Sequence, residues 1–200
     1  MEIAQKRWDS IAKPLHSLGK LETLLIQIAG ITGNAEVDLS RRGLIAMCAD
    51  NGVVEEGVTQ TGQEVTAIVA ENFLKYDTSV GVMCKQNHAE IFPVDMGMVT
   101  DTKVRTDHKI AYGTQNMTKG PAMTREQAVK GLEAGIDMVR ELNDKGYRIL
   151  ATGEMGIGNT TTSSAVASVL LKQPVEEMTG RGAGLTSEGL VRKINAVSYT

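Results

Sequence analysis

Y-R-I-L-A-T-G-E-M-G-I-G-N-T-T-T-S-S-A-V-A-S-V-L-L, residues Tyr147–Leu171, decides the fold of this chain. Its opening apolar run, Ile149–Ala151, predicts a buried strand. Gly153, Gly156 and Gly158 then space a turn, with Glu154 set among them. Asn159 and Thr160–Thr162 supply helix-start residues ahead of Ala165, Val166, Val169 and Leu170, which predict one apolar helical face. Strand, glycine turn and helix N-terminus form the pattern of an anion site. Glycine lets the backbone approach a phosphate, and the unpaired N–H groups of the first helical turn point at it. A tight connection without a ligand fits the same spacing, and the pattern is neither a Walker motif nor a clean G-x-G-x-x-G fingerprint. The acid inside the loop weighs for chemistry. A carboxylate beside a phosphate is electrostatically unfavourable, so Glu154 serves a reaction better than it serves anion binding.

Upstream, T-R-E-Q at Thr124–Gln127 is a capping-box pattern opening a long helix to Lys145. Ala128, Leu132, Ile136, Val139 and Leu142 lie along one side of it, and Met123 and Met138 read as gap-fillers. Residues 99–120 are polar and irregular, a length at which lids and binding loops occur. Two earlier runs, Leu44–Ala49 and Glu90–Val94, predict strands followed by the acids Asp50 and Asp95. Functional loops of parallel α/β sheets lie at the carboxyl ends of strands, which places Asp50 for a site role; a local turn role fits it as well, and fits Asp95 better. Val65–Tyr76 and Thr78–Gln86 predict helices. Residues 1–30 read as helical with a break at Pro14, and Leu21, Leu24, Leu25 and Ile28 recur as an apolar face. Downstream, T-G-R-G-A-G-L at Thr179–Leu185 is a second glycine-rich turn. The helix after it, with Leu190, Ile194 and Val197 on one face, has no stop signal before Thr200, so the chain is expected to end in mid-element. The order of elements predicts an α/β fold: a mostly parallel, Rossmann-like sheet flanked by helices. Residues 1–35 are expected to form a small helical subdomain, and 36–200 a nucleotide-binding domain.

Composition narrows the partners. A chain of 200 residues holds one sizeable core. A net charge of −3 and 4% aromatic residues exclude a basic, base-stacking surface, so no nucleic acid is expected. No apolar run approaches the roughly 20 residues that span a bilayer, and the N-terminus lacks a secretory core, so a cytoplasmic chain without membrane contact is expected. Cys48 and Cys84 sit in apolar contexts without a C-x-x-C or histidine partner, which argues for buried thiols and against a metal site.

Five segments, in order, carry a resemblance: K-P-L-H-S-L-G-K-L-E (Lys13–Glu22), C-A-D-N-G-V (Cys48–Val53), G-P-A-M-T (Gly120–Thr124), G-E-M-G-I-G-N-T-T (Gly153–Thr161) and G-R-G-A-G-L (Gly180–Leu185). Together they are similar to the nicotinate-nucleotide:dimethylbenzimidazole phosphoribosyltransferases, a family of longer proteins. The resemblance implies transfer of a 5-phosphoribosyl group from nicotinate mononucleotide to 5,6-dimethylbenzimidazole, giving α-ribazole 5′-phosphate and nicotinate, in cobalamin biosynthesis. It implies a homodimer acting on small molecules, with no cofactor. Glu154 is the implied catalytic carboxylate. Gly153, Gly156, Gly158, Asn159, Thr160 and Thr161, with Gly182 and Lys193, are implied around the phosphate and ribose. Asp50, Thr61 and Val69 are implied around the base; some relatives carry Ser and Gln where this chain has Thr61 and Val69, and many carry His where it has Asn51. The family's principal general base is a further glutamate in an R-L-G-E-G-like motif of the C-terminal part, which these residues lack. A weak or inactive enzyme, or a module that binds nucleotide or benzimidazole without turnover, is therefore the alternative expectation. A nucleotide kinase is disfavoured, because no P-loop lysine is present.

Overall fold

A computed structural model describes residues 1–199. Met1–Arg41 forms one compact unit, and the chain from Arg42 forms a second. The first unit holds helices α1 (Glu2–Ser10) and α2 (Lys20–Thr32), joined through Pro14. Its small core is Ala4, Ile26 and Ala29, with Trp8 against it. The expected α2 face is not the buried one. Glu22, Ile26 and Ala29 face inward, and Leu21 and Leu24 are exposed. Glu22 can be inside because its Oε1 accepts from Lys13 Nζ at 2.9 Å and from the Leu18 N–H at 3.1 Å. That ion pair closes the Lys13–Glu22 segment on itself.

The second unit is built on three parallel strands in the order β2-β1-β3: β1 (Arg42–Ala49), β2 (Ala89–Gly97) and β3 (Ile149–Met155). α3 (Glu64–Lys75) and α4 (Ser79–Gln86) connect β1 to β2, and α5 (Arg125–Asp144) carries the chain back across β1 to β3. Central β1 is apolar on both faces, as a doubly covered parallel strand must be. Ala46 and Cys48 pack with Ala67, Ala70 and Phe73 of α3, while Ile45 packs with Met138 and Leu142 of α5. Cys48 and Cys84 are both free and buried. The Cys48 thiol is pushed up to about 12, chiefly by burial and then by the nearby Asp95 carboxylate, so it is an inert core group.

The long segment between β2 and α5 is sewn down along its middle. Asp95 N–H donates to the Arg105 carbonyl at 2.8 Å, Ile110 N–H to Met96, and Gly113 N–H to Gly97, both at 3.0 Å. Lys109 Nζ meets the buried Asp95 carboxylate at 3.1 Å. These bonds cover the β2 edge, which would otherwise offer unpaired peptide groups. α5 begins at a complete capping box: Thr124 Oγ1 accepts from the Gln127 N–H, and Gln127 Oε1 accepts from the Thr124 N–H. Thr124→Ala is expected to lower stability by about 1 kcal/mol, measured by urea unfolding; an unchanged midpoint would show that the box is ornamental.

Beyond β3 come α6 (Asn159–Leu171), the short α7 (Val175–Met178) and α8 (Ser187–Ser198). α6 reverses the expected face. Thr161, Ser164, Ala165 and Ser168 are buried, while Val166, Val169 and Leu170 are exposed. Burial of the serines is tolerable because Ser164 Oγ donates to the Thr160 carbonyl and Ser168 Oγ to that of Ser164, each at 2.8 Å. Their hydroxyls need nothing further, and their small size lets α7 and α8 approach. Among the described residues, no helix is long and apolar enough to cross a membrane.

Candidate active site

In this order the chain leaves β1 toward β2 and later returns to β3 on the other side of β1, and a crevice between the carboxyl ends of β1 and β3 is the kind of place where parallel α/β sheets bind ligands. Glu154 pairs in register with Met47. It therefore projects from the last turn of β3 and not from the glycine turn after it, because the strand runs on through Gly153. Gly156 and Gly158 make the turn proper. A Cβ at Gly156 would lie 2.3 Å from the Ala49 carbonyl oxygen, and Gly158 has φ +90° with Val54 only 2.9 Å from its Cβ position. Both glycines are thus demanded by the close approach of this turn to the segment after β1, whether or not a ligand is present.

A cleft of about 200 Å³ opens above the turn. Glu154, Gly156, Gly158, Asn159, Thr160, Thr61 and Lys193 line it, with Val58, Met155 and Leu185 as apolar wall. The remaining expected residues lie elsewhere. Gly153 is mid-strand against Leu44, and Thr161 is wholly buried on the inner face of α6. Gly182 lies just behind the lining, where a Cβ would be 2.8 Å from Thr160 Oγ1 and 3.2 Å from Lys193 Nζ. Val69 packs toward the α3 core. Asp50 is fully buried, its Oδ2 accepting from the Val99 N–H at 2.8 Å.

Burial raises the Asp50 pKa, against the pull of the Val99 N–H and the Thr66 hydroxyl. A folded-state pKa above the unfolded one means that this carboxyl adds stability at low pH and withdraws it as pH rises through the folded value. Asp50→Asn is therefore expected to gain thermal stability relative to the parent as pH rises from about 4 to 7. Parallel melting curves across that range would count against this.

Within the cleft, the charged groups have distinct settings. Lys193, from α8, is 1% exposed, and among the described residues its Nζ has one hydrogen-bond partner, Thr160 Oγ1 at 2.6 Å. Burial lowers its pKa, as expected for an ammonium with no carboxylate beside it. Glu154 reaches solvent through the cleft mouth, yet the surrounding protein raises its pKa, opposed by a hydrogen bond from Asn159 Nδ2 to its Oε2. Arg181 is engaged otherwise, donating to the Leu185 carbonyl at 2.8 Å and Ser187 Oγ at 3.1 Å. The N–H groups of Gly158 and Thr160 find no acceptor among the described residues. Two free peptide donors, a helix N-terminus and a buried ammonium suit an oxyanion; the carboxylate beside the turn suits a proton.

Sequence reasoning assigned no role to two residues that brace this site. Asn51 donates through Nδ2 to the Ile157 carbonyl at 3.0 Å. Gln60 Nε2 reaches across to the Gly184 carbonyl at 2.5 Å, tying the two loops that flank the cleft. The burial of Lys193 was readable from its spacing with Gly189, Ala196 and Val197, the inner stripe of α8. A second cavity, about 230 Å³, lies between the ends of β1 and β2 and the start of α5. No titratable side chain lines it. Among the described residues, no group of three or more His, Cys, Asp or Glu side chains is arranged to hold a metal ion.

A family model described as Phosphoribosyltransferase matches residues 1–200. The chain belongs to the phosphoribosyltransferase family. It is 50% identical over 199 residues to the nicotinate-nucleotide–dimethylbenzimidazole phosphoribosyltransferase of Ruminiclostridium cellulolyticum, covering 98% of this chain and 56% of that protein. A Clostridium acetobutylicum protein of the same name is also 50% identical, with the same coverage. Among solved structures, CobT from Thermus thermophilus superposes with a TM-score of 0.89 at 37% identity, over 98% of this chain and 60% of that one. The chain thus spans a little over half the length of the curated relatives it matches.

Proposed function

We propose that this chain carries the phosphoribosyl-binding site of an enzyme that moves the 5-phosphoribosyl group of nicotinate mononucleotide to 5,6-dimethylbenzimidazole. The products are nicotinate and α-ribazole 5′-phosphate. The observation that carries the reading is the cleft itself, where Lys193, the first turn of α6 and Glu154 line one space fit for a sugar phosphate. The names of the relatives agree with it.

The reaction is a displacement at the anomeric carbon. The bond from that carbon to the pyridinium nitrogen breaks, and its electron pair leaves with the now uncharged ring of nicotinate. The imine-type nitrogen of the azole forms the new bond, and the proton on the ring's other nitrogen goes to a carboxylate. The leaving group needs no protonation and no pyrophosphate is released, so the protein has three tasks. Lys193, the Thr160 hydroxyl and the free N–H groups of Gly158 and Thr160 hold the phosphate. Val58, Met155 and Leu185 form an apolar wall for the flat base, with Thr61 at its edge. Glu154, oriented by Asn159, is placed to take the proton. Holding both substrates in line supplies much of the rate. A homodimer in the cytoplasm belongs to the same reading.

Titration calorimetry with nicotinate mononucleotide, run beside a chromatographic assay for α-ribazole 5′-phosphate, tests it. Binding of the nucleotide and formation of product support the reading in full. Binding without product leaves the chain as the nucleotide-holding part of that enzyme. Absence of binding sinks the reading.

A further inference from the structure

Both polar groups of Ile157, at the centre of the turn, are held by side chains from distant parts of the chain. Its N–H donates to Thr66 Oγ1 of α3 at 3.0 Å, and its carbonyl accepts from Asn51 Nδ2 at 3.0 Å. Asn51 is itself braced, since its carbonyl accepts from Gln63 Nε2 at 3.1 Å. It is also the surface on which the turn rests. A Cβ at Gly156 would stand 3.0 Å from Asn51 Nδ2, and one at Gly158 would stand 3.3 Å from Asn51 Cβ.

The Ile157 carbonyl and the Gly158 N–H belong to one planar, trans peptide unit, so they point in opposite directions and rotate together. A hydrogen bond that pulls the carbonyl toward β1 therefore turns the Gly158 N–H away from β1. That N–H has no acceptor among the described residues. Among the described residues the Asn51 bond is the one hydrogen bond made to this plane, and a donor misaligned by several tens of degrees loses most of its bond.

We propose that Asn51 is a positioning residue for phosphate recognition, aiming the Gly158 N–H into the cleft through its bond to the Ile157 carbonyl. The inference rests on the phosphoribosyl reading above. Asn51 does not touch the ligand in this arrangement; it removes the ordering of a donor from the cost of binding.

The test compares nicotinate mononucleotide with nicotinate riboside, the same molecule without its phosphate, by calorimetry on the full chain. Three variants are needed. Asn51→Ala removes the donor, Asn51→Asp keeps the shape but replaces the donor with an acceptor, and Asn51→His restores a donor, because imidazole Nδ1 stands at the same branch as the amide nitrogen. Asn51→Ala and Asn51→Asp are expected to bind the nucleotide about tenfold more weakly, the size of one well-made hydrogen bond, with riboside affinity unchanged. Asn51→His is expected to recover most of the loss. In either Asn51→Ala or Asn51→Asp, losing the nucleotide and the riboside alike is the mark of a misfolded turn and overturns the proposal. So does full nucleotide affinity in Asn51→Ala. A parent chain that fails to bind the nucleotide defeats the phosphoribosyl reading instead, and this inference with it.

Discussion

Glu154→Gln is expected to cut turnover by roughly 10²–10⁴ while leaving nucleotide affinity within a few-fold. The form assayed is whichever turns over, this chain alone or the chain completed with the C-terminal part of a relative such as that of R. cellulolyticum. The split follows from where the carboxylate stands. It stands at the end of β3 beside the turn, tied to the start of α6 through Asn159, and an isosteric amide keeps that contact, so the phosphate donors stay in place. Its raised pKa makes the ionised form a better proton acceptor, and the Asn159 amide keeps one oxygen occupied and the other free. Glutamine preserves the shape and the polar contact but accepts no proton. Steady-state rates of α-ribazole 5′-phosphate formation decide the matter. Turnover near the parent value would reduce Glu154 to a strand-end residue.

The second large effect belongs to Lys193, whose replacement by Met should move two observables in opposite directions. A hydrogen bond from a charged donor is worth about 1.5–3 kcal/mol, so losing this one weakens nicotinate mononucleotide binding by roughly 10–100-fold. The ligand-free protein, in contrast, should melt at a higher temperature. A buried ammonium facing one neutral hydroxyl carries an uncompensated desolvation penalty, and Met fills a similar volume without it. Weaker binding with lower stability would mean instead that Lys193 supports the packing of α8. Unchanged binding would remove it from the phosphate site.

The elements that position this site were legible because their local signals agree. The run Leu44–Ala49 is β1 within two residues, and Thr124–Gln127 is a complete capping box. The faces of helices were less legible. In α6 the pattern of Val166, Val169 and Leu170 predicts an apolar inner side, yet the serines lie inside with their hydroxyls already satisfied by the preceding turn. Hydropathy assigns a serine the same polarity whether or not its own helix has taken its proton. In α2, Glu22 is inside for a related reason, a partner in Lys13 that lies nine positions earlier. Of the expected site, Glu154, Gly156, Gly158, Asn159, Thr160, Thr61 and Lys193 meet at one cleft, while Asp50 and Val69 are turned into the interior. Both follow or sit on elements whose placement was read correctly. Which way a side chain points at a strand end depends on the one-residue register shift between Cys48 and Ala49, and no local pattern encodes that shift.

The bonds that shape the cleft join residues made far apart in time on the ribosome. Asn51 meets Ile157 across 106 positions, Thr66 meets it across 91, and Gln60 meets Gly184 across 124. Arg192 reaches back 135 positions to the Gly57 carbonyl. Each of these contacts closes a long loop, and chains dominated by such closures fold slowly. At an elongation rate of about 5–20 residues per second, the segment after β1 waits many seconds for the turn that will rest on it. The cleft is therefore assembled late in the folding of the chain. In hydrogen exchange from the native state, the Ile157 amide should report how late: its proton is bonded to Thr66 alone, so it is released whenever α3 and the turn part, even while the strands remain paired.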